Sequence, residues 1–319
     1  MGVETQSETV WMQANKFSVP RIGFINKLDR LGAQLETTTK SIKKRLKVEP
    51  IMINIPAGES SSLQGLIDLT QMLHFDYATD DELGNIVNIE EICSGHSLFD
   101  QAVSARETMI EQLSNYDDEL GDLYLSEDIA DISSEAVDQA IRRAILTGKA
   151  VPLLCGSALK NKGVQPLLDA VIKYLPDPSA APAQATLTET GESVTITPNS
   201  KGKLRALAFK VVNDKEKGLV TFFRIYQGSL KNRAKIRNAS LNGDIESIKA
   251  LLRVRADETQ LLSEVGVGDI AAIVGCKNVR SGDTILDEAD SEKIVLGGVA
   301  MPPPVFFCTI EAESSRDQK

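Results

Sequence analysis

Short apolar runs alternate with amphipathic stretches through the first half of the chain, and with glycine turns through the second. Residues 7–17 predict a helix with Trp11 and Ala14 on one face, ended by Pro20. Ile22-Gly23-Phe24-Ile25 is a short apolar run of the kind that forms a buried parallel strand. Asn26 to Gly32 predicts a loop, followed by a basic helix carrying Lys40, Lys43, Lys44, Arg45 and Lys47. Ile51–Ile55 predicts a second strand. Leu98–Leu113 predicts a helix, with Val103, Ile110 and Leu113 at compatible spacings. Ser133 or Ser134 caps a further helix that runs to about Thr147, where Gly148 ends it. Val151–Cys155 predicts another buried strand, then come Gly156-Ser157-Ala158 and a closing helix, Val164–Leu175. Such strand–helix alternation predicts a parallel α/β sheet within residues 1–175.

At Leu175 the texture changes. Pro176-Asp177-Pro178 through Pro182 is proline-rich, and residues 176–203 predict a linker. Residues 204–300 then carry short strands: Leu204–Val212, Leu219–Tyr226, Lys235–Asn238, Ile245–Val254 and Ile270–Val274. Glycines punctuate them, and Asn242-Gly243 is a strong hairpin signal. Regular short strands with glycine turns predict an all-β barrel or sandwich. After Met301-Pro302-Pro303-Pro304, the run Val305–Ile310 predicts the first strand of a truncated third domain, residues 301–319.

Charge sharpens this division. The net charge is −10, but residues 51–140 hold 20 acidic side chains against one basic residue, Arg106, whereas residues 201–260 are strongly basic. Two faces with different partners would show that asymmetry, and so would two independently solubilised regions. No run approaches the roughly 18 apolar residues of a membrane span, so no membrane partner is expected. Cys93, Cys155, Cys276 and Cys308 are far apart, and only two histidines exist. No metal site follows from familiar spacings. His74 lies in an apolar run and predicts a packed side chain, His96 a loop residue.

The chemistry concentrates at Asn26-Lys27-Leu28-Asp29, directly after the first apolar strand. Ligands of α/β sheets bind at the carboxyl ends of strands. An ionised Asp29 offers two acceptor oxygens to the ring N–H and exocyclic amine of guanine, a pair that adenine lacks in this arrangement. Asn26 is placed to reach the six-position oxygen and to tie neighbouring loops, and the Lys27 stem to lie over the base. Ser157-Ala158 ends a second strand, where the Ala158 N–H can donate to the base oxygen. The four-residue motif alone fits a solvated Asn–Asp turn equally well. No GxxxxGK[ST] phosphate loop occurs. Asp81-Gly84 and Asp118-Gly121 have the DxxG spacing of a magnesium-switch loop, but neither follows an apolar strand.

Several stretches resemble the elongation factor G family of translational GTPases. They are Gly2 to Trp11, Val19-Pro20-Arg21-Ile22, Asn26 to Ala33, and Lys160 to Val171, with Leu207 to Val211, Phe222 to Gly228 and Gly268 to Gly275 in the β region. The resemblance covers nearly the whole chain. It implies the C-terminal part of a P-loop-type G domain with an α+β insert at roughly 50–130, followed by the family's β-barrel second domain. It implies a guanine site made by Asn26, Lys27, Asp29, Ser157 and Ala158, with GTP as ligand. Mg2+ would accompany GTP in the intact protein, with no Mg2+ ligand and no catalytic residue in this chain. Pro304 to Glu311 and the turn Asp214 to Gly218 are similar to the family's mitochondrial ribosome-recycling branch. That branch implies a monomeric factor of the mitochondrial matrix, with a targeting segment outside this chain. Its implied partners are the ribosome, through rRNA and a stalk protein, and ribosome recycling factor. Translocation-type elongation and a non-enzymatic ribosome-docking fragment are the alternatives.

Overall fold

A computed structural model describes residues 2–57, 63–77, 84–178, 182–240, 244–290, 292–298, 306 and 308–309. Two compact units divide the chain, Met1–Pro176 and Asp177–Lys319.

The first unit begins with α1 (Thr5–Lys16), β1 (Gly23–Ile25), α2 (Leu35–Leu46) and β2 (Glu49–Met52). An insert follows: β3 (Asn54–Pro56), β4 (Gly65–Asp68), β5 (Leu73–Tyr77), β6 (Val87–Glu91), α3 (Phe99–Ser114), α4 (Asp118–Ser126) and α5 (Ser134–Thr147). β7 (Ala150–Cys155) and α6 (Val164–Tyr174) close the unit. A parallel sheet has the order β1-β7-β2, and a separate antiparallel sheet the order β3-β4-β5-β6. β7 is central and buried at every position, as an apolar strand covered on both faces must be.

The segment Ile51–Ile55, expected as one strand, is split between the two sheets. β2 ends at Met52 and β3 begins at Asn54, with the buried Ile53 between them. Asn54 then turns its amide inward. Its Oδ1 accepts the Cys155 N–H at 2.7 Å and its Nδ2 donates to the Cys155 carbonyl at 3.4 Å, fastening the start of the insert to the central strand.

The helices of the insert follow from caps and apolar stripes. Ser133 caps α5, its hydroxyl accepting the Ala136 N–H at 3.2 Å, and Gly148 ends it at φ 68°. Asp118-Gly121 lies within α4, a helix and not a switch loop. Arg106, the single basic residue of the acidic stretch, is buried on α3. It donates to the carbonyls of Leu69, Thr70 and Ile132 at 2.6, 2.8 and 2.9 Å, joining three segments of the insert. α1 differs from the other helices in burying none of its residues. Arg21 stacks over Trp11 at 4.3 Å, and Arg45 pairs with Glu8 at 2.6 Å.

The second unit is all β. It comprises β8 (Ala183–Leu187), β9 (Ser193–Ile196), β10 (Arg205–Asp214), β11 (Gly218–Gln227), β12 (Ser229–Lys231), β13 (Lys235–Asn238) and β14 (Ile245–Ser247). β15 (Ala250–Arg255), β16 (Glu258–Leu261), β17 (Glu264–Gly266), β18 (Ile270–Val274), β19 (Thr284–Asp287) and β20 (Ile294–Leu296) complete it. Eight strands form one antiparallel sheet, β14-β13-β19-β10-β11-β18-β15-β16. Ile236, near one end of that order, and Leu251, near the other, share a core with Phe223 and Ile273, so the sheet curls around a single interior. Residues 176–203, expected as a linker, carry β8 and β9, which join β20 in a three-stranded sheet. Ala185 and Ile196 are buried there with Leu286 and Leu296, giving this segment a core of its own. Asn242-Gly243 lies outside the described residues, while β13 and β14 on either side of it pair antiparallel. Of the strand expected at Val305–Ile310, Phe306, Cys308 and Thr309 are described and carry no strand, and the other three residues lie outside the described residues.

Asp117 supplies a pH-dependent contact. It caps α4 by accepting the Leu120 N–H at 2.9 Å, and Arg143 Nη2 donates to it at 2.8 Å. The Arg143 guanidinium, ahead of any other influence, holds its carboxyl below the usual carboxylate range. A depressed folded-state pKa contributes stability above the unfolded value of about 4, and that stability is lost as pH falls through the folded value. Asp117→Ala is expected to cost roughly 1–2 kcal/mol at neutral pH. The variant is also expected to flatten the fall in stability below about pH 4. Urea unfolding followed by circular dichroism across that range checks both, and parallel pH profiles for the two proteins would contradict them.

Candidate functional site

β1 and β7 run parallel with Ile25 opposite Cys155, so the loops that follow them leave the sheet side by side. Backbone bonds stitch them together. Gly156 N–H donates to the Ile25 carbonyl at 3.0 Å, and Leu28 N–H to the Gly156 carbonyl at 3.1 Å. Asn26 Oδ1 accepts the Lys27 N–H at 2.7 Å and the Ala158 N–H at 2.9 Å. The Ala158 amide, expected to face a base oxygen, is therefore already engaged by Asn26. A base oxygen at this point must share that donor or displace the asparagine. Lys27 sits in the left-handed region at φ 67°, with its side chain exposed.

Asp29 is mostly buried, with 15% of its side chain exposed. The neighbouring Ser157 hydroxyl holds its carboxyl below the usual range, helped by its own backbone N–H, Lys160 and Arg30 and opposed by burial. Ser157 Oγ is itself buried without a hydrogen bond of regular geometry, and Lys160 Nζ stands 3.9 Å from the carboxylate. Asp29 is thus an ionised acceptor pair, and among the described residues its ion-pair partner is Lys160, at a long contact. That fits the two adjacent N–H donors of guanine. Leu159, next to Ala158, is 89% exposed and offers apolar surface that a covering base would remove from water. A cavity of about 390 Å³ opens on the other side of the loop, walled by Asn26, Lys27, Leu28, Arg30, Thr37 and Thr38 among others. Asp29, Ser157 and Ala158 are not in its wall, so this cavity is not the base site.

The insert supports the second loop from below. Ser157 and Lys162 exchange two backbone bonds at 2.9 and 3.0 Å, closing a tight loop around Ala158. Gly163 N–H donates to the buried Tyr77 hydroxyl at 2.6 Å. Lys162 Nζ donates to the Leu63 carbonyl at 2.7 Å and lies 5.7 Å from the centre of the Tyr77 ring. Asn161 Nδ2 reaches the Gly84 carbonyl at 3.4 Å. Gly163 has φ 84°, and a Cβ there would stand 2.7 Å from the Cys155 carbonyl, so only glycine allows this approach. Tyr77 and Lys162 went unread in the sequence. Only Gly163 left a signal, as a glycine just before a helix.

Tyr77→Phe keeps the packing and leaves the Gly163 N–H without its acceptor. It is expected to destabilise the first unit by about 1–2 kcal/mol, the cost of a buried unsatisfied donor. Thermal unfolding checks this, and an unchanged melting temperature would show that the contact contributes nothing.

Comparison with known proteins agrees with the fold and with the resemblance. The elongation factor Tu GTP-binding domain matches residues 1–177, and elongation factor Tu domain 2 matches residues 218–286. Elongation factor G of Anaplasma marginale (strain Florida) is 41% identical over 320 residues, covering 100% of this chain and 45% of that protein. Elongation factor G 2 of Desulfotalea psychrophila is 38% identical with the same coverage. Mitochondrial ribosome-releasing factor 2 of Rattus norvegicus is 38% identical over 343 residues, 99% of this chain and 42% of that protein. The chain thus spans less than half the length of these relatives. A crystal structure of a Thermus thermophilus protein shares the fold, with a TM-score of 0.69 at 21% identity, over 91% of this chain and 39% of that one. Since the GTP-binding-domain match alone takes in more than half of the chain, the protein belongs to the family of elongation factor Tu-type GTP-binding domains.

Proposed function

We propose that this chain is the base-reading and β-domain portion of a GTP-dependent factor that splits mitochondrial ribosomes after termination, together with ribosome recycling factor. The bond between Ala158 and Asn26, with the Asp29 carboxylate beside Ser157 at the ends of adjacent parallel strands, carries the nucleotide part of this reading. Asp29 accepts from the guanine ring N–H and amine, Asn26 and Ala158 bracket the base oxygen, and Lys27 and Leu159 supply cover. Asp29 facing adenine would keep a desolvated charge without partners, which is where discrimination arises. GTP bound here supplies a triphosphate whose hydrolysis controls release of the factor. Mg2+ would be held by groups outside this chain, which we assign neither a Mg2+ ligand nor hydrolysis by itself.

Support for ribosome splitting and for the mitochondrion is the similarity to mitochondrial ribosome-releasing factor 2. Translocation is the second reading, favoured by the 41% identity to an elongation factor G. In either case the basic segment 201–260 is suited to rRNA phosphates, with salt-sensitive binding, and the acidic insert to a basic stalk protein. We assign a monomer working in the matrix.

Two measurements test this. Calorimetry of the chain with GTP is expected to show weak binding or none, and binding at micromolar affinity or tighter would refute the division of labour proposed for the nucleotide site. In a longer product containing this segment, Asp29→Asn is expected to weaken GTP about 100-fold and to improve xanthosine triphosphate, whose ring presents an acceptor at the altered position. Splitting of mitochondrial ribosomes by that product with recycling factor and GTP supports the recycling reading, and stimulation of translocation without splitting replaces it by the alternative.

A further inference from the structure

We propose that His74, Glu90 and His96 form a binding site for a divalent transition-metal cation, with Zn2+ as the fitting ion. The site lies in the insert, away from Asn26 and Asp29, and does not depend on the nucleotide reading. Glu90 on β6 stands directly across from His74 on β5 in the antiparallel register. His96 comes from the turn after β6. Its backbone is held on both sides, its N–H donating to the Cys93 carbonyl at 2.8 Å and its carbonyl accepting the Phe99 N–H at 3.0 Å. The two imidazoles meet edge to face with centroids 5.4 Å apart, and His96 Nε2 is 3.7 Å from Glu90 Oε2. One donor atom from each residue lies within 4.8 Å of the other two. Donors around one tetrahedral zinc stand about 3.4 Å apart, so the cluster needs to contract by at most about 1.4 Å.

A second observation points to a ligand. His74 Nδ1 is buried and has no hydrogen-bond partner. A buried polar atom without a partner is uncommon and calls for one. Gly65 lies against the other side of the ring, where a Cβ would stand 2.6 Å from His74 Nε2, so glycine leaves the imidazole its space. Two imidazoles and a carboxylate are a donor set suited to zinc, with water completing the tetrahedron on the side where Glu90 is exposed.

Loading requires one rearrangement. The Leu98 N–H donates to His96 Nδ1 at 3.0 Å, which places the proton of the neutral ring on Nε2, towards Glu90. To ligate through Nε2, the ring shifts that proton to Nδ1 and gives up the bond from Leu98. No proton is gained or lost, and the cost is one hydrogen bond at the start of α3. The spacing of 74, 90 and 96 matches no familiar metal motif, so only the β5–β6 pairing reveals the cluster.

The test is Zn2+ titration of the full chain against a competing chromophoric chelator, in a Cys93→Ser, Cys308→Ser background that removes the exposed thiols. One equivalent is expected to bind, at least about tenfold more weakly in each of His74→Ala, Glu90→Gln and His96→Ala. Co2+ in place of Zn2+ is expected to give visible d–d absorption that His96→Ala abolishes. Circular dichroism establishes that each variant is folded, and Glu90→Gln, at an exposed position, keeps the test decisive should a histidine variant fail to fold. Absence of stoichiometric binding by the folded chain, or equal affinity in Glu90→Gln, would overturn the assignment.

Discussion

One side chain, Asn26, bridges loops that are 132 residues apart in sequence. Its carbonyl oxygen accepts the Ala158 N–H while also closing its own turn at Lys27. The base site we propose is built around that bridge, alongside the backbone bonds made by Gly156 and Leu28. Asp29 reaches Ser157 because the two loops are held side by side, and they are held because β1 and β7 pair in parallel with Ile25 opposite Cys155. A parallel pair needs a long crossover, and in this protein the crossover contains α2, β2 and the whole acidic insert. The insert is therefore part of the connection between the two strands as well as a neighbour of the loops that follow them.

Contacts between the insert and the second loop tie that loop to a separate antiparallel sheet. Asn54 anchors the start of the insert to the last residue of β7, and Tyr77, Leu63 and Gly84 hold the loop that follows Ala158. A backbone donor aimed at a base is useful only when its peptide is fixed beforehand, because ordering it on binding would cost conformational entropy. Charge divides along the same lines, with residues 51–140 acidic and residues 201–260 basic.

Much of the first unit was readable from sequence where a single physical cause dominates. β7 is an unbroken apolar run because both of its faces are covered, and α5 is bounded by a serine cap and a glycine in the left-handed region. Reading failed where two causes compete. Ile51–Ile55 has the composition of one strand, yet Asn54 turns it between two sheets. The prolines near residue 180 resemble a linker, but the burial of Ala185 and Ile196 makes the following segment part of a sheet. Asn26, Lys27 and Asp29 were legible because they are adjacent and follow a strand. Tyr77, and the His74–Glu90–His96 cluster, depend on strand register and have no local pattern to betray them.

The central claim is that Asn26 and the insert fix the Ala158 amide before any nucleotide arrives. Hydrogen–deuterium exchange resolved at that amide in the nucleotide-free chain tests it most directly, with the Asn26→Ala variant alongside. Strong protection of Ala158 in the wild type, lost in the variant while the β7 amides stay protected, is the predicted result. Exchange at Ala158 as fast as in an open loop, or equal in both proteins, would contradict the account.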